Sequence, residues 1–111
     1  MQVVKEKTIN NLPTEKHRIV AESIRVGRHN ATLLSDIMSI AEIDDRRTAY
    51  QIIEDLINKY GYVIVASRSG EYKGYFYPAN EMEFRKYAKT FKQSIDSMKK
   101  RYNNLINNYN K

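Results

Sequence analysis

The chain has 111 residues, with 19 Lys or Arg against 13 Asp or Glu, a net charge of +6 and no cysteine. That length suits one domain with a single modest core, and the lack of Cys excludes a disulfide scaffold and a thiolate metal site while suiting a reducing compartment. The first seven residues lack the apolar run of a signal peptide and no stretch approaches the roughly 20 apolar residues that span a bilayer, so a soluble, cytoplasmic protein with no membrane partner is expected.

In chain order, Asn10 to Thr14 offers polar caps and Pro13 near a first turn, and reads as a helix entrance. The first helix is predicted to run to about Arg25. Its buried face is His17, Val20, Ala21 and Ile24, spaced i, i+3, i+4 and i+7, with Gly27 placed to end it. The link Arg28 to Ala31 has room for a short strand. Thr32 is placed to cap a second helix bearing Leu33, Leu34, Ile37 and Met38, with Ile40 or Ile43 closing the following turn, Ala41 to Asp44, into the core.

Asp44 or Asp45 is expected to cap the third helix, since a carboxylate accepts orphan backbone N–H bonds and favours the positive end of the helix dipole. Ala49, Ile52, Ile53, Leu56 and Tyr60 form its apolar stripe, and the opposite face presents Arg47, Tyr50, Gln51, Glu54 and Asn58, with Arg46 beside them. Gly61 ends this helix. Two β-rich runs follow, Tyr62 to Ala66 and Gly74 to Tyr77, joined by the polar loop Ser67 to Lys73. Asn80 with Glu83 forms a capping box that opens a fourth helix. Along it Phe84, Tyr87, Phe91, Ile95, Met98, Tyr102, Leu105 and Tyr109 recur every three or four residues as one apolar seam. The Asn-rich end, from Asn103 onward, holds weak helix formers and is expected to fray.

Two helices followed by a hairpin read as a winged helix-turn-helix. The predicted fold class is mainly α with a small β-hairpin (α+β). Residues 1–80 would form the winged-helix domain with a short N-terminal arm, and residues 81–111 a long amphipathic helix. One core of this size cannot cover the whole seam. Its distal part, Phe91, Ile95, Met98, Tyr102, Leu105 and Tyr109, is therefore expected to pair with a second chain in a homodimer, or else with the first helix.

The motifs carry a family resemblance. Leu34-Ser35-Asp36-Ile37, Asp44-Asp45-Arg46-Arg47-Thr48, Ile52-Ile53-Glu54-Asp55-Leu56, Gly61-Tyr62-Val63-Ile64 and Lys73-Gly74-Tyr75-Phe76-Tyr77 together resemble small phage or mobile-element winged-helix proteins over roughly residues 14–90. The resemblance implies a DNA-binding protein acting in transcriptional control or replication initiation. The chain departs from that pattern where Ala41-Glu42 stands in place of a turn glycine, and where Glu54 and Asp55 occupy a helix that is often basic.

On this reading duplex DNA is the partner, as the basic balance also favours. Arg47 and Gln51, one turn apart, suit guanine and adenine edges, while Arg46, Thr48 and Tyr50 would hold phosphates or sugars, and Arg68 and Lys73 on the wing would meet the backbone or a minor groove. The charge is unevenly spread. Residues 33–61 hold three Lys or Arg against six Asp or Glu, whereas residues 81–111 hold eight against three. Arg46 and Arg47 could instead form a solvated first turn paired with Asp44, Asp45 or Glu54. The row Arg85, Lys86, Lys89, Lys92, Lys99, Lys100 and Arg101 reads either as a wet helix face or as a second, non-specific contact with phosphates. A different class of function is an adaptor, whose Glu54, Asp55 and Asn58 would bind a replication or transcription protein.

Catalytic chemistry finds no foothold. His17 and His29 have no metal-ligand spacing, and the glycines at 27, 61, 70 and 74 make neither a phosphate loop nor a dinucleotide fingerprint. No enzyme activity, cofactor or metal is expected.

Overall fold

The computed structural model describes residues 14–111, so the N-terminal arm and the helix entrance at Asn10 to Pro13 lie outside the described residues. The described chain is mainly helical with a small sheet, an α+β arrangement of four α-helices and three strands. Helix α1 spans Glu15–Ser23, β1 Arg25–Val26, α2 Leu34–Ala41, α3 Arg46–Asn58, β2 Val65–Ser67, β3 Gly74–Tyr77 and α4 Glu81–Tyr109. The sheet order is β1-β3-β2, with β1 parallel to β3 and β2 antiparallel to it.

The three short helices form because each offers one apolar stripe to the others. Val20 of α1 and Ile24 just after it, Leu34 and Ile37 of α2, and Ala49, Ile52, Ile53 and Leu56 of α3 are buried in one cluster, which Ile43 and Ile64 close. Strand alternation then divides the sheet's side chains. Tyr75 and Tyr77 pack against the helical cluster, whereas Phe76, fully buried, meets Tyr87 of α4 edge-on at 5.2 Å between ring centroids. The Tyr77 hydroxyl donates to the Ala21 carbonyl at 2.5 Å, and burial, with a lesser push from Tyr62, raises its pKa to about 12.

Several local expectations change. Helix α1 stops at Ser23, because Arg25 and Val26 are drawn into pairing with Phe76 and Tyr77. The predicted strand thus lies earlier than Arg28 to Ala31, where a 3-10 turn, Arg28–Asn30, sits instead. Gly27 follows β1 rather than ending α1, and its N–H donates to the Tyr77 carbonyl at 2.7 Å. Thr32 does not cap α2. Its backbone exchanges two hydrogen bonds with Tyr75, at 2.9 and 2.8 Å, and its hydroxyl reaches the Ser23 carbonyl, leaving Leu33 as a cap without a side-chain bond. Gly74 lies against this bridge with φ 128°, and a Cβ there would collide with the Thr32 backbone.

Two further boundaries differ. Of the β-rich run Tyr62 to Ala66 only Val65 and Ala66 pair with β3, joined by Ser67 from the predicted loop, while Tyr62 leaves α3 through a turn in which its N–H bonds the Leu56 carbonyl at 2.9 Å. The Asn-rich end of α4, expected to fray, is helical to Tyr109. Each Asn costs well under 1 kcal/mol relative to a strong helix former, and extending a formed helix is easy compared with starting one. The capping box holds in altered form. Asn80 Oδ1 accepts the Glu83 N–H at 2.9 Å, and Glu83 reaches back to the N–H of Ala79 at 2.8 Å and across to that of Arg28 at 3.3 Å. The root of α4 is thereby fastened to the body. From Lys89 to Lys111 every residue is exposed, so the distal seam packs on nothing, α1 included.

Candidate nucleic-acid interface

The N-terminus of α3 is set by Asp45, in extended backbone, whose Oδ2 accepts the Thr48 N–H at 3.0 Å and the Thr48 hydroxyl at 2.6 Å. These bonds hold the Asp45 carboxyl below its usual range, with the Thr48 hydroxyl the largest cause. Thr48 therefore spends its donor within the cap. Arg46, Arg47 and Tyr50 are exposed, and among the described residues neither arginine forms an ion pair or side-chain hydrogen bond. The pairing of these arginines with Asp44, Asp45 or Glu54 that the charge pattern allowed is absent.

Gln51 is exposed but anchored. Its Nε2 donates to Asp55 Oδ1 at 3.0 Å, which fixes the amide and leaves its carbonyl and one N–H outward. Asp55 itself is turned inward, meeting His17 Nε2 at 3.0 Å and lying 3.9 Å from Lys59 Nζ. The His17 bond is the largest cause of its lowered pKa, ahead of the Gln51 bond and the field of Lys59, with burial opposing them. His17 in turn contacts Thr14 Oγ1 through Nδ1 at 2.6 Å and stands edge-on to Tyr60 at 5.7 Å. This histidine is a tie between α1 and α3.

The segment predicted as a wing is the loop between β2 and β3. Arg68 and Lys73 are exposed on it, and its base is fixed by the buried Ser67, which donates to the Ser69 carbonyl at 3.3 Å. Tyr72 lies against two side chains of the 3-10 turn, the Arg28 guanidinium 5.4 Å from its ring centroid and the His29 ring, tilted, at 4.8 Å. Cation–π and aromatic contacts of this kind stiffen a loop that has no core of its own. Burial raises the Tyr75 phenol above its usual range, Tyr50 adds to the rise, and Arg68 and Arg46 oppose it.

The sequence reading missed Tyr75, Tyr72, Arg28 and His29 as parts of this surface. A period-two reading of Gly74 to Tyr77 could have placed Tyr75 opposite Phe76, but nothing local reveals that Arg28 and His29 reach the loop between β2 and β3. Two of the acids in residues 33–61 are engaged locally, Asp45 as a cap and Asp55 with His17, Gln51 and Lys59, and both remain carboxylates. On α4, Arg85 pairs with Glu81 and Lys92 with Asp96, while Lys86, Lys89, Lys99, Lys100 and Arg101 remain exposed and outside any ion pair among the described residues. No described helix is long and apolar enough to cross a membrane. No protein-family model, curated protein or solved structure matches the chain.

Proposed function

We propose that the chain is a winged helix-turn-helix protein that binds duplex DNA sequence-specifically as a homodimer, in the cytoplasm, as a transcriptional regulator or replication-initiation factor of a phage-like element. On this reading α3 enters the major groove, the wing meets backbone or minor groove, and α4 joins two copies. The carrying observation is that Arg46, Arg47 and Tyr50 stand exposed at the start of α3, with neither arginine in an ion pair among the described residues, while Arg68 and Lys73 stand exposed on the loop between β2 and β3. Exposed cations at a helix start are placed to reach base edges and phosphates together. The adaptor reading rests on weaker ground, since Asp55, one of its three residues, is turned towards His17.

Selection of bound duplexes from a random pool tests this directly. An enriched two-fold site is expected, and Arg47→Ala should weaken binding to it by about 1–3 kcal/mol and relax preference at one position. Arg68→Ala should weaken all duplexes alike and reduce the salt slope by about one. A pool with no enriched motif would defeat specific recognition, and a preference untouched by Arg47→Ala would move the reading to another element.

A further inference from the structure

Resting on the reading that α4 joins two copies, we infer that the two α4 helices pair antiparallel, each seating its C-terminal end in an apolar groove at the root of the other. The seam, half-buried at Tyr87 and Ala88 and exposed elsewhere, reads the same in both directions about a point between Asp96 and Ser97. Counting outward, Ile95 answers Met98, Phe91 answers Tyr102, Ala88 answers Leu105, Tyr87 answers Ile106 and Phe84 answers Tyr109. A reversed second copy therefore meets an apolar residue at every layer, with the small Ala88 opposite the larger Leu105.

Charge favours the same direction. Arg85, Lys86, Lys89 and Lys92 crowd the proximal half, whereas residues 102–110 contain no charged side chain. Parallel pairing in register would lay two copies of the cationic stretch side by side, and like charges brought together are destabilising. Antiparallel pairing lays each against a neutral, Asn-rich stretch. The one like-charged layer sets Lys92 against Arg101, and Lys92 is already bridged to Asp96 at 3.3 Å.

The root supplies the receptor. A groove of about 480 Å³ is lined by Tyr62, Val63, Pro78 and Phe84, with Asn80 and Glu81 as its polar members. It is continuous with the seam through Phe84, and Val63 and Phe84 are 53% and 41% exposed. Tyr109, 89% exposed at the far end of α4, brings an apolar ring and a hydroxyl to a groove with both characters. Phe84 and Tyr109 are 25 positions apart, about 37 Å along a helix. The two roots would then be separated by about the 34–36 Å between half-sites one duplex turn apart.

The chain's lack of cysteine makes the test clean. Wild type should sediment as a dimer. After mild oxidation, an equal mixture of Ala88→Cys and Leu105→Cys proteins should give the mixed disulfide, and neither variant alone should form a covalent dimer. Self-linking of Leu105→Cys would establish a parallel pair and overturn the proposal while leaving the dimer intact; a monomeric wild type would remove the dimer and the proposal together. A second readout spares the seam, with a spin label at Asn107→Cys. Antiparallel helices hold the two labels about 30 Å apart along the axis, whereas parallel ones bring them to within about 20 Å of each other, and that shorter distance would be decisive against it.

Discussion

Ile37 and Leu105 are both aliphatic residues on the apolar stripe of an amphipathic helix, yet Ile37 is fully buried and Leu105 is 60% exposed. The body formed by α1, α2, α3 and the sheet resolves its hydrophobic pattern within one chain. The distal part of α4 states an equally regular pattern and leaves it open. Helical periodicity fixes which side chains share a face, but whether that face is covered depends on a surface that has to come from somewhere else. In α4 the Asn80 cap is worth about 1 kcal/mol and the Arg85–Glu81 and Lys92–Asp96 pairs only a few tenths each, and unlike α3 the distal part of the helix buries no side chain within its own chain.

The sharpest contrast comes from shortening one leucine in each region. Leu56 is fully buried in the body, and Leu56→Ala should cost about 2–5 kcal/mol by denaturant unfolding, through lost burial and the cavity left behind. Leu105→Ala, measured at a protein concentration low enough for monomers, should fall within about 0.5 kcal/mol of wild type while weakening self-association in sedimentation. A large loss of monomer stability from the Leu105 change would mean that the seam packs within its own chain, and the contrast would collapse.

How much of this was legible in the sequence follows the same division. The stripe Ala49, Ile52, Ile53 and Leu56, the cap Asp45, and the seam of α4 were readable because each repeats at a helical period or sits at a fixed offset from one. Arg46, Arg47 and Tyr50 were readable as an exposed face for the same reason. The pairing of Arg25–Val26 with β3, the Thr32 bridge and the Arg28–Tyr72–His29 stack were not, since they join residues some 40 to 50 positions apart whose local patterns are unremarkable. Asp55 was misjudged as surface charge because its partner, His17, lies on another helix.

That Asp55–His17 tie gives a smaller and pH-dependent effect, again confined to the body. The folded carboxyl titrates below its unfolded value of 3.8, chiefly because His17 bonds it. Its contribution is therefore complete above about pH 4 to 5 and is lost as pH falls through the lower folded value. Asp55→Asn should cost about 1.5–3 kcal/mol at neutral pH and flatten the acid limb of stability, with sedimentation unchanged. The same variant separates the two functional readings, since DNA binding should survive it when stability permits, whereas an adaptor relying on Asp55 would lose its partner.

The smallest expected effect lies at the turn between α2 and α3. Glu42 adopts the left-handed conformation, φ 56° and ψ 52°, with the Ile43 N–H closing back on the Met38 carbonyl at 2.9 Å in the manner of a Schellman motif. Lys16 Nζ donates to the carbonyls of Ala41 and Glu42, at 2.5 and 3.0 Å, and so holds the turn from α1. A turn glycine is thus dispensable here because α1 supplies the restraint, but the strain of an L-residue remains. Glu42→Gly exchanges that strain, about 1–2 kcal/mol, for the greater chain entropy that glycine loses on folding, about 0.5–1 kcal/mol. A net gain of about 0.5–1 kcal/mol in the body is expected by thermal or denaturant unfolding, with no change in self-association. Glu42 also shares a groove with Arg46, so the change removes a carboxylate from beside the proposed DNA surface. Affinity for duplex DNA should rise modestly at low salt and converge with wild type at high salt, where screening erases the difference; a gain that persisted at high salt would point to a reshaped turn instead of altered charge.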